Sequence, residues 1–274
     1  AMTPHPPHLP RVVAEWEPEE LFYIVKHGVK FTAMPAWPTM NRDDEVWAMV
    51  AFLRALPGLD AAAYARLVGG EDGLGDTGGV VARCSRCHGE DGNGRGLGAF
   101  PKLAGQRPDY LLASIEAFAR GERHSGIMMP VAAALDADDV REVVRHYADL
   151  PRSASPPARA DDARVDEARV DDALRAIGEG IAQRGIPAQR VPACAACHGP
   201  GDTPRNPIYP ELANQYAGYL ALQLRLFKDD RRGGTPYAHI MGMVASRLTT
   251  DQMRAVAAYY ASLPPARRTG RDRR

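Results

Sequence analysis

Three stretches of the chain share one pattern of apolar and polar positions. Val46, Met49, Val50 and Leu53 recur at helical spacing, as do Val140, Val143, Val144 and Tyr147, and again Met253, Val256, Ala257 and Tyr260. Each predicts an amphipathic helix, and each runs into Leu-Pro: Leu56-Pro57, Leu150-Pro151 and Leu263-Pro264. A proline there stops a helix, and Asp43, Asp136 and Thr249 or Thr250 are the residues expected to cap the opposite ends. Two more helices are expected upstream, over Tyr110-Leu111-Leu112 to Phe118 and over Tyr219-Leu220-Ala221 to Phe227. They follow matching segments, Phe100-Pro101-Lys102-Leu103-Ala104-Gly105-Gln106 and Tyr209-Pro210-Glu211-Leu212-Ala213-Asn214-Gln215. Nothing reads as strands, so the fold class expected is all-α, and the duplication implies tandem domains.

The repeat also selects methionines. Met34, Met128 and Met241 each stand 23 residues before the proline of a Leu-Pro pair, whereas Met129 and Met243 stand at other offsets. The competing reading is that they are core methionines filling gaps.

The four cysteines sharpen this picture. They form Cys84-Ser85-Arg86-Cys87-His88 and Cys194-Ala195-Ala196-Cys197-His198, the spacing of a c-type haem attachment site. Two thiols one helical turn apart add to the two vinyl groups on one edge of a haem, and the adjacent histidine reaches the iron. Two other readings compete. A redox disulfide wants a βαβ context, which this chain lacks. A zinc site would join both pairs, yet they lie 110 residues apart and each has its own histidine. Two covalently attached haems c are therefore expected, with His88 and His198 as iron ligands and Met128 and Met241 as the thioethers opposite them. Met128 lies 40 residues after His88, and Met241 lies 43 after His198. A metal-bound histidine usually donates its second ring N–H to a carbonyl. The carbonyls of Pro101 and Pro210 are the candidates, unless each proline only fixes a turn. Arg123, Arg231 and Arg232 precede the methionines and are either propionate partners or solvated charges. Because haem is attached on the oxidising side of the bacterial membrane, the motif also points to the periplasm or the periplasmic face of the inner membrane.

Charge and composition exclude other classes. Basic and acidic residues number 34 each, which removes the net basic face expected of a nucleic-acid binder. Four of the basic residues are lysines, so the remaining 30 are arginines. No stretch approaches the roughly 20 apolar residues of a membrane span, and no signal peptide is visible, so a mature or trimmed form is expected. The segment from Arg267 to Arg274 has five arginines and one aspartate and reads as a solvated tail.

With these motifs in view, residues from about 76 to 265 resemble a two-domain dihaem class I cytochrome c of the cytochrome c-four type. The resemblance rests on the two Cys-x-x-Cys-His-Gly motifs, the Pro-x-Leu-Ala-x-Gln segments, the tyrosine-led helices, and the pairs Met128/Leu135 and Met241/Leu248. It implies two small all-α domains, each around one His/Met-ligated haem, and transfer of electrons between a redox donor and acceptor. Residues 11–57, with Glu20 to Gly28 and Met34-Pro35-Ala36-Trp37, resemble the second half of a further such domain without its Cys-x-x-Cys-His. The layout expected is a partial half domain over 1–70, a first haem domain over 71–152, a linker over 153–172 and a second haem domain over 173–274. It suggests a triheme relative cut within its first domain, with apolar surface (Phe22, Trp37, Trp47) covered by the rest of the chain, by a partner or in a homodimer.

The function expected is relay of electrons, as a free carrier or as the cytochrome subunit of a dehydrogenase or terminal oxidase complex. The alternative is a dihaem enzyme, a peroxidase or a sulfur-compound dehydrogenase, which needs an open or unusually ligated iron. Here a methionine stands at each sixth position and no cysteine is left over for an axial thiolate. The intact mass of the purified protein should exceed that of the polypeptide by two haems. A third haem, which would have to be held without a Cys-x-x-Cys-His link, would overturn the reading of residues 1–57.

Overall fold

The computed structural model describes residues 5–68, 79–94, 98–152, 172–200 and 204–265. The expected hinge at 69–75, nearly all of the linker over 153–172, and the arginine-rich tail lie outside the described residues. Those described are helical, with a single isolated antiparallel bridge between Ile186 and Val191. The helices are α1 (Leu9–Val12), α2 (Pro18–His27), α3 (Asp43–Ala55), α4 (Ala61–Val68), α5 (Val80–His88), α6 (Pro108–Ala119) and α7 (Met128–Ala133). They continue with α8 (Ala137–Asp149), α9 (Asp172–Arg184), α10 (Ala195–His198), α11 (Ala217–Lys228), α12 (Ala238–Ala245) and α13 (Thr250–Ser262).

Helix ends follow the sequence signals closely. Asp136 caps α8, accepting from the amides of Asp138 and Asp139 at 2.9 and 2.8 Å. Thr249 caps α13 in a reciprocal box with Gln252. Asp43 is a correction. It is the first residue of α3, with Arg42 in the cap position, and its carboxylate pairs with Lys26 on α2 at 2.5 Å. The two tyrosine-led helices form as α6 and α11.

The chain divides into two compact units. The first comprises residues 1–76 and 118–134. Its small core joins Val13, Leu21 and Val50, with Phe22 and Leu53 packed against them. Phe22 stacks on Trp47, ring centroids 4.6 Å apart. Of the three aromatics expected at the surface, Trp47 is 43% exposed. Trp37 is partly covered, its indole lying against Gly126: a Cβ placed on that glycine would lie 2.0 Å from Trp37 Nε1.

The second unit comprises residues 77–117 and 135–274. One core gathers Val80, Leu111, Val143, Tyr147 and Ala148 between α5, α6 and α8. The other gathers Ile181, Ala182, Leu220, Val256, Ala257 and Tyr260 between α9, α11 and α13. These two motif-bearing halves meet through their repeated segments. The Gln215 side chain accepts from Lys102 N–H and donates to Lys102 C=O, both at 3.0 Å. Gln106 does the same to Glu211, accepting at 2.9 Å and donating at 3.0 Å. Arg152 donates to the carbonyls of Ala104 (2.8 Å) and Ala213 (2.9 Å), which are equivalent positions in the two segments.

Each of these glutamines bonds both main-chain groups of a residue in the opposite half, and its oxygen also accepts from the amide of the residue that follows it, Arg107 or Tyr216. Truncating either one to alanine strands these groups, at a cost of about 1–3 kcal/mol per buried group. Gln106→Ala and Gln215→Ala should therefore each lower the denaturant midpoint of unfolding well beyond a surface Gln→Ala control.

Candidate haem sites

Helix α5 ends in the first motif, so Cys84 and Cys87 fall one turn apart and His88 closes the helix. The second motif is shorter: Cys194 precedes α10, and His198 ends it. A glycine in the left-handed region follows each histidine, Gly89 at φ 79° and Gly199 at φ 76°. There the chain turns back so that His88 Nδ1 lies 3.0 Å from Pro101 O, and His198 Nδ1 lies 3.0 Å from Pro210 O.

This hydrogen bond fixes the chemistry of each ring. A carbonyl only accepts, so Nδ1 carries the proton and Nε2 keeps a lone pair. Both histidines are buried. Burial pushes their pKa values down, and the carbonyl bond offsets only part of that. Each is thus a neutral imidazole with a free donor atom, the form that binds a metal. The cysteines are unbridged, and burial pushes the thiols of Cys84 and Cys194 up, the latter to about 11. Among the described residues no three His, Cys, Asp or Glu side chains converge as a metal-ion site. The donor sets therefore fit two separate thioether-linked haems and do not fit a shared zinc ion.

One tyrosine completes each site, and its role is not apparent from helical periodicity alone. Tyr147 and Tyr260, both fully buried, donate to the carbonyls of Gly89 (3.4 Å) and Gly199 (2.8 Å). The sequence does hold a signal, since each stands four residues before its Leu-Pro proline. Burial raises both phenol pKa values, so they remain donors at ordinary pH. The same helices accept through their main chain, Tyr147 O from Gly105 N–H and Tyr260 O from Asn214 N–H, each at 2.9 Å.

Met128 opens α7 and Met241 lies within α12, both half-buried. Met243, the neighbour that the repeat passes over, is 53% exposed. Arg123 is not a solvated charge. It is buried, with its guanidinium 4.4 Å from the centroid of the Phe118 ring. Arg232 stacks on Phe227 at the same 4.4 Å, so the repeat extends to this pair.

Comparison with known proteins agrees with this construction. The family described as Cytochrome c matches residues 79–150 and again 188–264. The chain belongs to the cytochrome c family, as a class I dihaem protein of the c4 type. Its two haems are covalently bound, and it relays electrons between redox partners. Cytochrome c4 of Thiocapsa roseopersicina is 31% identical over 66% of this chain and 86% of its own. The thiosulfate dehydrogenase electron acceptor of Thiomonas intermedia is 34% identical over 67% of this chain and 80% of its own. Among solved structures, Acidithiobacillus ferrooxidans cytochrome c4 superposes with a TM-score of 0.55 at 30% identity, covering 66% of this chain and 99% of that one. The Marichromatium purpuratum thiosulfate dehydrogenase (TsdBA) superposes with the same TM-score at 37% identity. The match covers 66% of this chain but only 36% of that protein. Residues 3–53 match a different family, described as cytochrome c oxidase, cbb3-type, subunit III.

Lys102, beside the carbonyl that holds His88, provides a pH-sensitive probe of the site. Its ammonium is buried and donates to Asn214 Oδ1 at 3.0 Å. Burial, and then the nearby Arg152, lower its pKa to about 8 from the ordinary 10.5. Between those two values the unfolded chain holds more protons, so this group makes stability rise with pH across that window. Its penalty is full below pH 8 and gone above 10.5. Lys102→Met should flatten that rise relative to wild type, as measured by urea unfolding at several pH values across the window.

Proposed function

We propose that this cytochrome is a periplasmic electron acceptor for a sulfur-compound dehydrogenase and has no catalytic centre of its own. The duplicated closed donor set carries the reading: two neutral, carbonyl-anchored histidines, each in register with a methionine at a fixed offset. His88 and Met128 would hold the first iron, and His198 and Met241 the second, with thioether links to Cys84 and Cys87 and to Cys194 and Cys197. The assignment of the methionines rests on the sequence register. When bound, haem supplies the one-electron ferric–ferrous couple, and methionine ligation favours the ferrous state.

The protein's own residues do the rest. Pro101 and Pro210 orient the imidazoles, Tyr147 and Tyr260 pin the turns that follow them, and Arg123 and Arg232 would supply the cations that haem propionates need. Two one-electron centres suit the acceptance of the two electrons released when a dehydrogenase couples two thiosulfate molecules oxidatively. The dehydrogenase as donor is supported by relatives in Thiomonas intermedia and Stutzerimonas stutzeri that are themselves thiosulfate dehydrogenase electron acceptors. A partner of this kind docks transiently through a small interface. Among the described residues no helix is long and apolar enough to cross a membrane.

Two measurements test this. The fully reduced protein at neutral pH should show no carbon monoxide difference spectrum, because both irons are closed; an iron that binds CO readily would move the weight to an enzyme. The oxidised protein, mixed with a thiosulfate dehydrogenase and thiosulfate, should take up two electrons per chain, whereas thiosulfate alone should reduce neither haem. Sustained thiosulfate turnover without the dehydrogenase would overturn the assignment.

A further inference from the structure

The N-terminal helices and the loop that leads into Met128 fold together in the first unit, and one side chain joins them. Glu45, on α3, is largely buried at 8% side-chain exposure. Its carboxylate receives four donors. Oε1 accepts from Ser125 Oγ at 2.7 Å and pairs with Arg42 at 2.9 Å. Oε2 accepts from Gly126 N–H at 2.6 Å and from Trp37 Nε1 at 3.1 Å. Arg42 reaches the same loop directly, donating to His124 O at 3.0 Å. Ser125 passes the constraint on. While its hydroxyl donates to Glu45, its oxygen accepts from Met128 N–H at 3.1 Å and from Ile127 N–H at 3.3 Å. The chain is thus held from three residues before Met128 up to Met128 itself by a carboxylate 80 positions away in sequence.

This fit leaves no slack. Trp37 lies close enough to Gly126 that any side chain there would collide with the indole. Hydrogen bonds to a buried carboxylate are the stronger kind, and stranding one member leaves a buried charge or donor unsatisfied.

We propose that Glu45 is a positioning residue for the sixth ligand of the first haem, and that the N-terminal helices serve as a clamp on the Met128 loop. Glu45 does not reach the iron; it acts through Ser125 and Gly126 on the backbone that carries the thioether. The inference rests on Met128 being that ligand, as proposed above.

The test uses the holoprotein and reads two signals: the rate of CO binding to each reduced haem, and the far-red absorption band of methionine-ligated ferric haem. Met128→Ala identifies the first haem by opening it and removing about half the band. Glu45→Gln, Ser125→Ala and Gly126→Ala should raise CO binding at that same haem by about tenfold, the order of one buried charge-assisted hydrogen bond, and weaken the same part of the band. Ser125→Thr, which keeps the hydroxyl, should behave as wild type. The second haem, closed by Met241, should be unchanged throughout and so reports that each variant is folded. If Met128→Ala opens the first haem while Glu45→Gln and Gly126→Ala leave both signals at wild-type values, the clamp is disproved and the ligand assignment stands. If Met128→Ala leaves both haems closed, the ligand assignment fails and the inference falls with it.

Discussion

The hydrogen bond from a buried imidazole to a proline carbonyl is the constraint on which the rest of this structure depends. A haem iron needs a neutral imidazole with a free lone pair, and the imidazole must not rotate. Pro101 and Pro210 meet both needs by occupying Nδ1. Much of the surrounding architecture fixes those carbonyls and rings. The left-handed Gly89 and Gly199 reverse the chain, Tyr147 and Tyr260 hold the reversed turn, and α8 and α13 bring the tyrosines into the core. The residue after each proline is then gripped by a glutamine from the opposite half, so the carbonyl that orients each histidine is held partly by that other half.

The motif-level features were legible because they are local or periodic. Two thiols and a histidine within five residues, helices closing on Leu-Pro, and a methionine at a fixed offset can each be read from spacing alone. The proline carbonyls could be picked out for the same reason, since the repeat aligns them 13 and 12 residues after the histidines. Features that depend on tertiary contact were not legible. Asp43 looks like a helix cap, but a cap requires a particular backbone conformation one residue earlier, and Lys26 claims its carboxylate instead. Arg123 looked as much like a surface charge as a buried one until Phe118 was seen beneath it. Gln106 and Gln215 act across 105 and 113 residues, a separation at which no periodic signal survives.

The N-terminal segment carries a third copy of the methionine-to-proline offset together with contacts of its own. Its sequence carries Met34 at the same offset as the other two methionines, and its contacts around Glu45 and Trp37 are directed at the Ser125–Gly126 loop of the same unit. The buried carboxylate, the indole and the cation of Arg42 together convert what would be an exposed edge of α3 into a fitted surface. Its specificity comes from hydrogen-bond count and shape, because a glycine is required beneath the indole and four donors converge on two oxygens.

The contacts between the two motif-bearing halves have a further consequence. Gln106 grips Glu211 as Gln215 grips Lys102, and Arg152 spans two equivalent carbonyls, so the same patch of each half recognises the same patch of the other. That is the form of an isologous dimer interface written within one chain. Two separate copies paired through such a patch would be at the mercy of concentration, whereas within one chain the pairing is intramolecular. A single chain also lets the two patches differ: one segment carries Lys102 where the other carries Glu211, a difference that two identical subunits could not have.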